Sequence, residues 1–501
     1  MPIDFSAAVH ASLDETVIRC DAFWGGQHRK AQSGQTMSCH SPIDGSRIAV
    51  IAACGPEDVE EAVAVARRAF ESGIWRNLPP SERKLRLMAF AEEIESRSEE
   101  LSRLETLDMG KPIRNVRAVD LPETVKTFRY YAEALDKIYD EIGSSPADAV
   151  SMIVREPLGV VAAITPWNYP LMLAAWKIAP ALAAGNSVIL KPAEQASLTA
   201  LWLGELAALA GIPDGVFGVL PGDGEVVGKA LCLHDDVDGV AFTGSTTVGK
   251  QVMGYAGQSN LKRVALECGG KSPQIIFADC LDLDAAAEAA AWGFLYDQGQ
   301  NCTAGSRLLV EETISEDFLA QVASIVAGIA PGNPLDEDTV FGAIVDAEQM
   351  NTILDYVDAG EQEGAVTVSR GGRALAETGG YYLEPTVFGG VDPSMTIARE
   401  EIFGPVLSTF TFRNFDEAMK LANDSAYGLA AGVWTRDIDK AHRAVRTVRA
   451  GTVWLNCWDE SDITTPFGGF KQSGIGRDRS LHAFDKYTEL KTVWLALGSP
   501  A

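Results

Sequence analysis

Apolar strands alternate with helices from residue 160 onward, and this alternation restricts the possible fold more than any other feature of the sequence. The segments 160–165, 187–190 and 239–243 are almost continuously apolar, and helical patterns at 171–184 and 198–210 lie between them. Strands that are apolar on both faces and are joined by helices predict a parallel sheet covered on both sides. The sequence therefore predicts a doubly wound α/β architecture of the nucleotide-binding kind.

A second set of strands and helices begins near residue 266. Since 501 residues are about twice the size at which a single hydrophobic core stops growing, we expect two main α/β domains. The apolar run at 487–497 predicts a last strand, which we expect to extend the sheet of a partner subunit. Further predicted strands lie at 216–220, 274–277, 307–310, 406–412, 432–435 and 451–456, and further predicted helices start at Pro56 and Pro80 and span 121–138, 284–295, 415–423 and 439–448.

Charge and cysteine content exclude several classes of function. The net charge is −27, whereas a protein that binds nucleic acid needs a basic face. The eight cysteines stand singly, without the spacing of a zinc site or a disulfide framework, so we expect no bound metal and a reducing compartment. The sequence shows neither the regions of a signal peptide nor an uncharged apolar run of membrane-spanning length. We therefore expect a cytoplasmic protein with no membrane or nucleic-acid partner.

Cys302 lies in a short loop between the predicted helix at 284–295 and the strand that starts at Arg307. A single cysteine is most often a small buried apolar residue. The small neighbours Gly299 and Gly305 would nevertheless let a substrate and a flat cofactor approach this thiol together. Cys302 is therefore a candidate nucleophile.

Polar and glycine-rich motifs follow several strands, at the edge where α/β sheets bind ligands. The stretch 242–249 passes from a strand through a glycine turn into a helix, whose free N–H groups favour phosphate, although the same pattern also serves as a plain helix cap. Asn168 offers an amide that could stabilise an oxyanion. Lys191 and Glu194 could hold a ribose, and Glu267 is either a general base or a member of a structural ion pair.

Six motifs resemble those of the aldehyde dehydrogenase superfamily, in the family's order, and the resemblance extends from about residue 20 to residue 495. They are PWN at 166–168, FTGS at 242–245, LECGGKSP at 266–273, GQNC at 299–302, EEIFGP at 400–405 and PFGG at 466–469. The resemblance implies two doubly wound α/β domains, a Rossmann-like cofactor domain and a catalytic domain, plus a small β appendage, in a homodimer or homotetramer. The expected bounds are 1–135 and 156–265 for the NAD-binding domain, 266–476 for the catalytic domain, and 136–155 and 477–501 for the oligomerisation segment.

The resemblance implies that the Cys302 thiolate attacks an aldehyde to give a thiohemiacetal, whose oxyanion is held by the Cys302 N–H and the Asn168 amide. Loss of hydride to the nicotinamide leaves a thioester, and Glu267 then activates the water that hydrolyses it to a carboxylate. Lys177 and Asp478 would relay protons behind this base. The chain departs from the family pattern here, since most members have Glu at the position of Asp478.

The resemblance also implies an NAD site. Lys191 and Glu194 would contact the adenosine ribose, and Glu401 would contact the nicotinamide ribose. Because Glu194 would accept from a free 2′-hydroxyl and repel a 2′-phosphate, NAD is favoured, with NADP as the less favoured option. The other residues expected at this site are Ile164, Thr165, Pro166, Trp167, Gly224, Phe242, Gly244, Ser245, Val248, Gly269 and Phe403.

Acidic and aromatic residues suggest a cationic aldehyde. Asp459, Glu460 and Asp462 fall within four residues of a loop that lines the substrate entrance in the family. The run 470–483 resembles the subgroup that oxidises γ-glutamyl-γ-aminobutyraldehyde and 4-guanidinobutyraldehyde in polyamine and arginine breakdown. The alternative is a charged loop that only faces water. The residues expected to face the substrate are Glu123, Tyr169, Trp176, Asp297, Asn301, Trp458, Asp459, Glu460, Ser461 and Phe467.

Other functions stay open at this point. If the acidic loop only faces water, the chain would be a broad-specificity dehydrogenase of aliphatic and aromatic aldehydes. A cysteine hydrolase or acyltransferase would need a His base near Cys302, and the sequence offers no obvious one. A CoA-acylating relative typically lacks the carboxylate that matches Glu267. A non-enzymatic binding relative would have no need of Cys302, Glu267 and Asn168 together.

Overall fold

The structure is a computed structural model that describes residues 3–14 and 17–498. Outside the described residues lie residues 1, 2, 15 and 16, which belong to the predicted segment 1–135, and residues 499–501, which end the predicted segment 477–501. The helices are α1 Ser6–Asp14, α2 Pro56–Ser72, α3 Pro80–Ser96, α4 Ser98–Met109, α5 Ile113–Asn115, α6 Leu121–Ala134, α7 Pro170–Ala184, α8 Leu198–Leu209, α9 Lys229–Leu233, α10 Thr246–Gln258, α11 Leu283–Leu295, α12 Ser315–Ala327, α13 Ala347–Gln362, α14 Thr396–Arg399, α15 Phe415–Asn423 and α16 Ile438–Thr447. The strands are β1 Ala22–Trp24, β2 Gln27–Arg29, β3 Thr36–His40, β4 Arg47–Ala52, β5 Glu141–Gly143, β6 Ala149–Pro157, β7 Val160–Ile164, β8 Ser187–Lys191, β9 Phe217–Val219, β10 Gly239–Gly244, β11 Arg263–Cys268, β12 Pro273–Ile276, β13 Arg307–Glu311, β14 Val366–Ser369, β15 Arg373–Ala374, β16 Tyr382–Leu383, β17 Thr386–Gly389, β18 Val406–Phe412, β19 Ala430–Trp434, β20 Thr452–Leu455, β21 Gly474–Ile475 and β22 Thr488–Ala496.

The first sheet has eight strands in the order β2-β1-β9-β8-β7-β10-β11-β21. Its five central strands are parallel, as the alternating pattern predicts, and the edge strands are antiparallel. The register pairs Ile164 with Lys191, and Gly244 with Cys268. The carboxyl ends of these strands therefore share one edge of the sheet, which is where the predicted ligand-binding motifs begin.

The second sheet has seven strands in the order β14-β17-β18-β13-β12-β19-β20. Its strands are parallel except at the β14–β17 edge. The predicted pair of α/β sets is thus confirmed. Cys302 lies between α11 and β13, as predicted, on the chain segment that leads into the middle of this sheet.

A third sheet, in the order β22-β6-β5, combines the last strand with two strands from the middle of the chain. The prediction of a terminal strand is confirmed, and within the chain this strand lies at one edge of the sheet, so its extension of a partner subunit's sheet stays a prediction. Strand β22 is antiparallel to β6 of its own chain, with Thr488 opposite Pro157 and Ala496 opposite Ala149. The nine-residue register satisfies the hydrogen bonds on one side of β22 within the chain, because β6 is equally long.

Helices on both faces of the first sheet form its apolar layers. Helix α7 is buried along almost its whole length and ends at Gly185, whose φ of 101° fits the left-handed conformation of a helix cap. Helix α6 ends at Ala134, four residues before the predicted end at 138, because the following charged stretch turns towards β5. None of the helices in the described part of the chain combines the length and the apolar character that a membrane span requires.

Two leucines of helix α8, one inside the helix and one at its end, allow a matched test of this packing. Leu206 is fully buried in the largest apolar cluster, whereas Leu209 at the end of the same helix is 55% exposed. We expect Leu206→Ala to lower the free energy of unfolding by about 2 to 5 kcal/mol, since it leaves a cavity. Leu209→Ala should change it by less than about 0.5 kcal/mol. Chemical denaturation measures both, and equal effects would contradict the packing described.

Candidate active site

Cys302 lies in the wall that two cavities share. One cavity, of about 270 Å³, is bordered by Asn168, Glu267 and Glu401. The other has a volume of about 750 Å³, and Leu173, Trp176 and Phe467 border both. Cys302 therefore borders two distinct cavities.

The loop before Cys302 makes an unusual turn. Asp297, Gln298 and Gly299 have φ values of 52°, 57° and 73°, in the left-handed region. A Cβ atom on Gly299 would lie 2.3 Å from the carbonyl carbon of Gly404, so only glycine fits at this point. The turn directs the Gln300 carbonyl towards Asn168, whose side-chain Nδ2 donates to it at 2.8 Å. This bond brings the first sheet's loop into contact with the Cys302 loop.

Burial dominates the electrostatics of the thiol and of the nearby carboxyl group. Burial raises the pKa of Cys302, and Glu401, Asp459 and Glu267 raise it further. Burial also raises the pKa of Glu267 well above its usual range, with a contribution from Asp478. Glu267 Oε2 has no hydrogen-bonding partner among the described residues. Both groups therefore favour their neutral forms, and Glu267 keeps an oxygen free for a water molecule or a proton.

Asp478 is fully buried and contacts two lysines. Its Oδ2 accepts from Lys177 Nζ at 2.5 Å, and its Oδ1 accepts from Lys486 Nζ. Burial acts against ionisation of Asp478, but the two ammonium groups outweigh it and lower its pKa. Lys177 and Asp478, which were expected to relay protons, are thus in direct contact, and the relay itself stays a prediction. Lys486 was not predicted, because no motif contains it.

Glu401 lies against a glycine cradle in the smaller cavity. The Gly270 N–H donates to Glu401 Oε1 at 2.8 Å, and a Cβ atom on Gly269 would lie 1.7 Å from Oε2. Burial raises the pKa of Glu401 to about 7. Trp167 and Phe403 meet edge to face, with ring centroids 5.2 Å apart. The predicted cofactor residues that border this cavity are Pro166, Trp167, Gly244, Ser245, Gly269, Glu401 and Phe403.

The remaining predicted cofactor residues follow the edge of the first sheet. Lys191 Nζ donates to Glu194 Oε1 at 2.9 Å, and the Gly224 N–H donates to the same oxygen. Ser245 caps helix α10, since its Oγ accepts from the Val248 N–H at 3.2 Å. Ile164, Thr165 and Phe242 lie in or directly after strands β7 and β10. A carboxylate, an ammonium group and a helix N-terminus at one sheet edge fit the ribose and phosphates of a dinucleotide.

The larger cavity contains nine of the ten residues predicted to face the substrate: Glu123, Tyr169, Trp176, Asn301, Trp458, Asp459, Glu460, Ser461 and Phe467. Asp297 is the exception and requires a correction. Its carboxylate is fully buried, 3.6 Å from Lys111 Nζ, and borders neither of the two cavities. The left-handed turn that begins at Asp297 directs its side chain to this buried ammonium group.

The acidic groups of the larger cavity differ in their surroundings. Asp459 Oδ1 accepts from Thr303 Oγ1 at 3.3 Å, and burial raises the pKa of Asp459 to about 6 even though the residue keeps surface open to the cavity. Glu123 is 3.1 Å from Lys126, which also lies 3.1 Å from Asp462. Asp462 borders a neighbouring groove. Three carboxylates and one guanidinium line the larger cavity, those of Glu123, Asp459, Glu460 and Arg479.

Sequence reasoning missed several residues of the site. Gln349, Thr352 and Tyr356 border the smaller cavity from one side of helix α13. Arg479 borders the larger cavity, with its guanidinium carbon 5.3 Å from the centre of the Trp176 ring. In the sequence, the α13 residues are marked as neighbours only by their i, i+3, i+7 spacing. This spacing occurs on any helix face, so it does not indicate a binding site.

Comparison with known proteins gives one consistent result. A family model described as "Aldehyde dehydrogenase family" matches residues 28–493. The NADP/NAD-dependent aldehyde dehydrogenase PuuC of Escherichia coli (strain K12) is 48% identical over 475 residues, which cover 95% of each chain. The crystal structure of gamma-glutamyl-gamma-aminobutyraldehyde dehydrogenase from Burkholderia cenocepacia J2315 is 52% identical and superposes with a TM-score of 0.96, over 98% of this chain and 99% of that one. A cysteine-to-alanine mutant of the P. syringae indole-3-acetaldehyde dehydrogenase AldA, in complex with NAD+ and IAA, is 54% identical with a TM-score of 0.97, over 98% of this chain and 99% of that one.

The environment of Cys302 predicts how fast its thiol is alkylated without ligands. Because burial raises the pKa of Cys302, the thiolate fraction should grow about tenfold per pH unit from pH 7 to pH 9. Iodoacetamide alkylation of the Cys302 peptide, followed by mass spectrometry, should therefore accelerate throughout this range. A rate that levels off below pH 8 would contradict the description of the thiol.

Proposed function

Since the chain belongs to the aldehyde dehydrogenase family, it is an oxidoreductase that acts on aldehydes, and we propose that Cys302 is its nucleophile, with NAD as cofactor and an amino- or guanidino-aldehyde as substrate. The observation that carries this proposal is the position of Cys302 in the wall shared by two cavities. One cavity has the groups that suit a dinucleotide, and the other is acidic and aromatic. The thiol thus has access to both reactants.

The first step is addition of the Cys302 thiolate to the aldehyde carbon, which gives a thiohemiacetal. The raised pKa of the thiol means that its proton needs an acceptor, and Glu267 on the same cavity accepts it in its carboxylate form and releases it again before the second step. The Asn168 amide and the Cys302 backbone N–H stabilise the oxyanion. Asn168 is already oriented by its bond to the Gln300 carbonyl, which limits the motion needed during the reaction.

NAD would supply the hydride acceptor. Lys191 and Glu194 would bind its adenosine ribose, and Glu401 would bind its other ribose. The fit rests on the glycine cradle at Gly269 and on the capped start of helix α10. The Glu194 carboxylate disfavours a 2′-phosphate, so NAD is preferred over NADP. The relative PuuC is named for dependence on both cofactors.

The second step is hydrolysis of the thioester on Cys302, with Glu267 as the base that activates water. Glu267 has a buried oxygen without a protein partner among the described residues, which is the arrangement a water-binding base requires. Lys177 and Asp478 form an ion pair whose charges act on Glu267. Because Asp478 keeps its charge between two lysines, its contribution is electrostatic rather than that of a proton acceptor.

Two substitutions test the proposed roles of Cys302 and Glu267. Cys302→Ala should abolish turnover while NAD still binds, and Cys280→Ala is the control, because Cys280 lies outside both cavities. Glu267→Gln should lower steady-state turnover by about 10²- to 10⁴-fold, the usual contribution of a general base. It should also leave an acyl adduct on Cys302, which intact-protein mass spectrometry detects. Loss of turnover without an adduct would show that the variant is blocked in the first step, whereas an adduct that is hydrolysed at the wild-type rate would contradict the role of Glu267 in hydrolysis.

The acidic lining of the larger cavity supports a cationic aldehyde. Three carboxylates outnumber the single guanidinium of Arg479, and aromatic rings beside them provide surfaces that attract cations. The relative from Burkholderia cenocepacia has an amino-aldehyde in its name. We therefore propose an aldehyde from polyamine or arginine breakdown. The alternative, a broader range that includes aromatic aldehydes, is favoured by Trp176, Phe467 and Trp458 and by the indole-3-acetaldehyde relative.

Asp459→Asn distinguishes these substrates. We expect kcat/KM for 4-guanidinobutyraldehyde or 4-aminobutyraldehyde to fall about tenfold, equal to about 1.4 kcal/mol, and that for butanal to change less than about twofold. Since the pKa of Asp459 is about 6, the preference for the cation should decline in the wild type as pH falls below 6, when the carboxylate is neutralised. The variant should show no such decline.

Asp462→Asn is the matched control, because Asp462 belongs to the same loop but pairs with Lys126 outside the larger cavity. Steady-state kinetics with all three aldehydes make the comparison. Equal or higher kcat/KM for butanal in the wild type would reject the cationic substrate and leave the broad-specificity alternative.

The assembly and the domain bounds are part of the same proposal. The exposed apolar residues Leu490, Trp494 and Leu495 on strand β22 suit burial between subunits of a homodimer or homotetramer. The third sheet joins residues of the segments 136–155 and 477–501, which supports their assignment to oligomerisation. The proposed domains 1–135 with 156–265, and 266–476, contain most strands of the first and second sheets, although β11 crosses the boundary at 265 and β21 of the first sheet falls within 266–476. Eight unpaired cysteines suit the reducing cytoplasm.

A further inference from the structure

Lys486 occupies a place in the buried charge network that the proposed reaction does not use. Its Nζ donates to Asp478 Oδ1, while Lys177 Nζ donates to Oδ2 at 2.5 Å. Each carboxylate oxygen thus has its own ammonium group, and the side chains of Lys177, Lys486 and Asp478 are 1%, 8% and 0% exposed. Because each oxygen has its own contact, the orientation of the Asp478 carboxylate is fixed. A single lysine would leave the carboxylate free to rotate about its Cβ–Cγ bond.

The two lysines come from distant parts of the chain. Lys177 lies in the middle of helix α7, whereas Lys486 ends the short 3₁₀ helix Leu481–Lys486 that precedes strand β22. The next residue, Tyr487, accepts at its carbonyl from Leu158 N–H and from Asn186 Nδ2. These bonds hold Lys486 in place from the backbone side.

Glu267 shares the smaller cavity with Asp478 and responds to the same charges. The groups that act on it are the carboxylate of Asp478 and the cations Lys177, Lys486 and Arg477. The thiols of Cys302 and Cys268 and the phenol of Tyr487 also interact with its charge. One carboxylate and two ammonium groups give the Lys177–Asp478–Lys486 set a net charge of +1 beside the proposed base.

We propose that Lys486 is a positioning residue, which holds Asp478 between two ammonium groups and thereby sets the charge that Glu267 experiences during turnover. This inference rests on the proposed role of Glu267. In this inference Asp478 stays ionised and keeps the two ammonium groups in place. The residue that adjusts the pKa of Glu267 then lies in the C-terminal segment directly before β22.

The sign of the effect follows from the charges. Positive neighbours favour the carboxylate form of Glu267 and lower its pKa, against the burial and the Asp478 charge that raise it. Without Lys486, the set would have no net charge, and Glu267 would bind a proton at higher pH. The acidic limb of the profile of kcat against pH should therefore move to higher pH.

The decisive measurement is that profile for Lys486→Met. We expect its acidic limb to move up by about one pH unit, a tenfold change in proton concentration, with KM for NAD within about twofold of the wild type. Lys486→Arg should restore the wild-type limb, because it restores the charge. Lys491→Met is the control, since Lys491 is an exposed lysine on β22 that pairs with Glu156. The inference would be overturned if the acidic limb of Lys486→Met lay at the same pH as in the wild type, or if the variant lost kcat equally at every pH.

Asp478→Asn supplies an independent test if Lys486→Met does not fold. It removes a negative charge beside Glu267, so the acidic limb should move in the opposite direction, to lower pH. A shift to higher pH, or no shift, would contradict the inference. Glu267→Gln separates this result from the proposed function. If that variant keeps the wild-type acidic limb, the limb does not report Glu267, and the proposed role of the base is wrong instead.

Discussion

The hydrogen bond from Asn168 to the Gln300 carbonyl joins the two halves of the reaction centre. Asn168 follows a strand of the first sheet, and Gln300 lies in the loop that enters the second sheet. The bond forms only because the chain turns through the left-handed region at 297–299, where Gly299 leaves room for the backbone of Gly404. The same two loops border both cavities, so this contact determines where the thiol meets each ligand.

Burial gives the centre its chemical character and also creates its main difficulty. Burial makes the Cys302 thiol and the Glu267 carboxyl group favour their neutral forms, whereas the proposed reaction needs each of them to lose a proton in turn. Nearby charges partly offset this effect of burial on Glu267. Lys177 and Lys486 both contact Asp478, and both lower the pKa of Glu267. Charge that develops in such a site interacts strongly with its neighbours, because water does not screen it.

Much of this architecture could be predicted from the sequence, since strand ends and glycine turns are local signals. The alternating apolar strands predicted both large sheets, and the motifs placed Cys302 correctly between α11 and β13. The direction of Asp297 could not be predicted, because it depends on a backbone turn and on Lys111, distant in sequence. The pairing of β22 with β6 depends likewise on contacts across more than 300 residues, as the bond between residues 156 and 491 illustrates.

The two cavities that meet at Cys302 have a consequence for the order of events. Under the proposed function the dinucleotide and the aldehyde would occupy different cavities that share only Cys302 and three apolar residues, so neither would have to pass through the site of the other. Geometry alone therefore imposes no sequence of arrival. Under the same proposal, the carboxylates of Asp459 and Glu460 on the larger cavity would repel the carboxylate of the product. A cavity that attracts a cationic reactant would then disfavour the anionic end of its product.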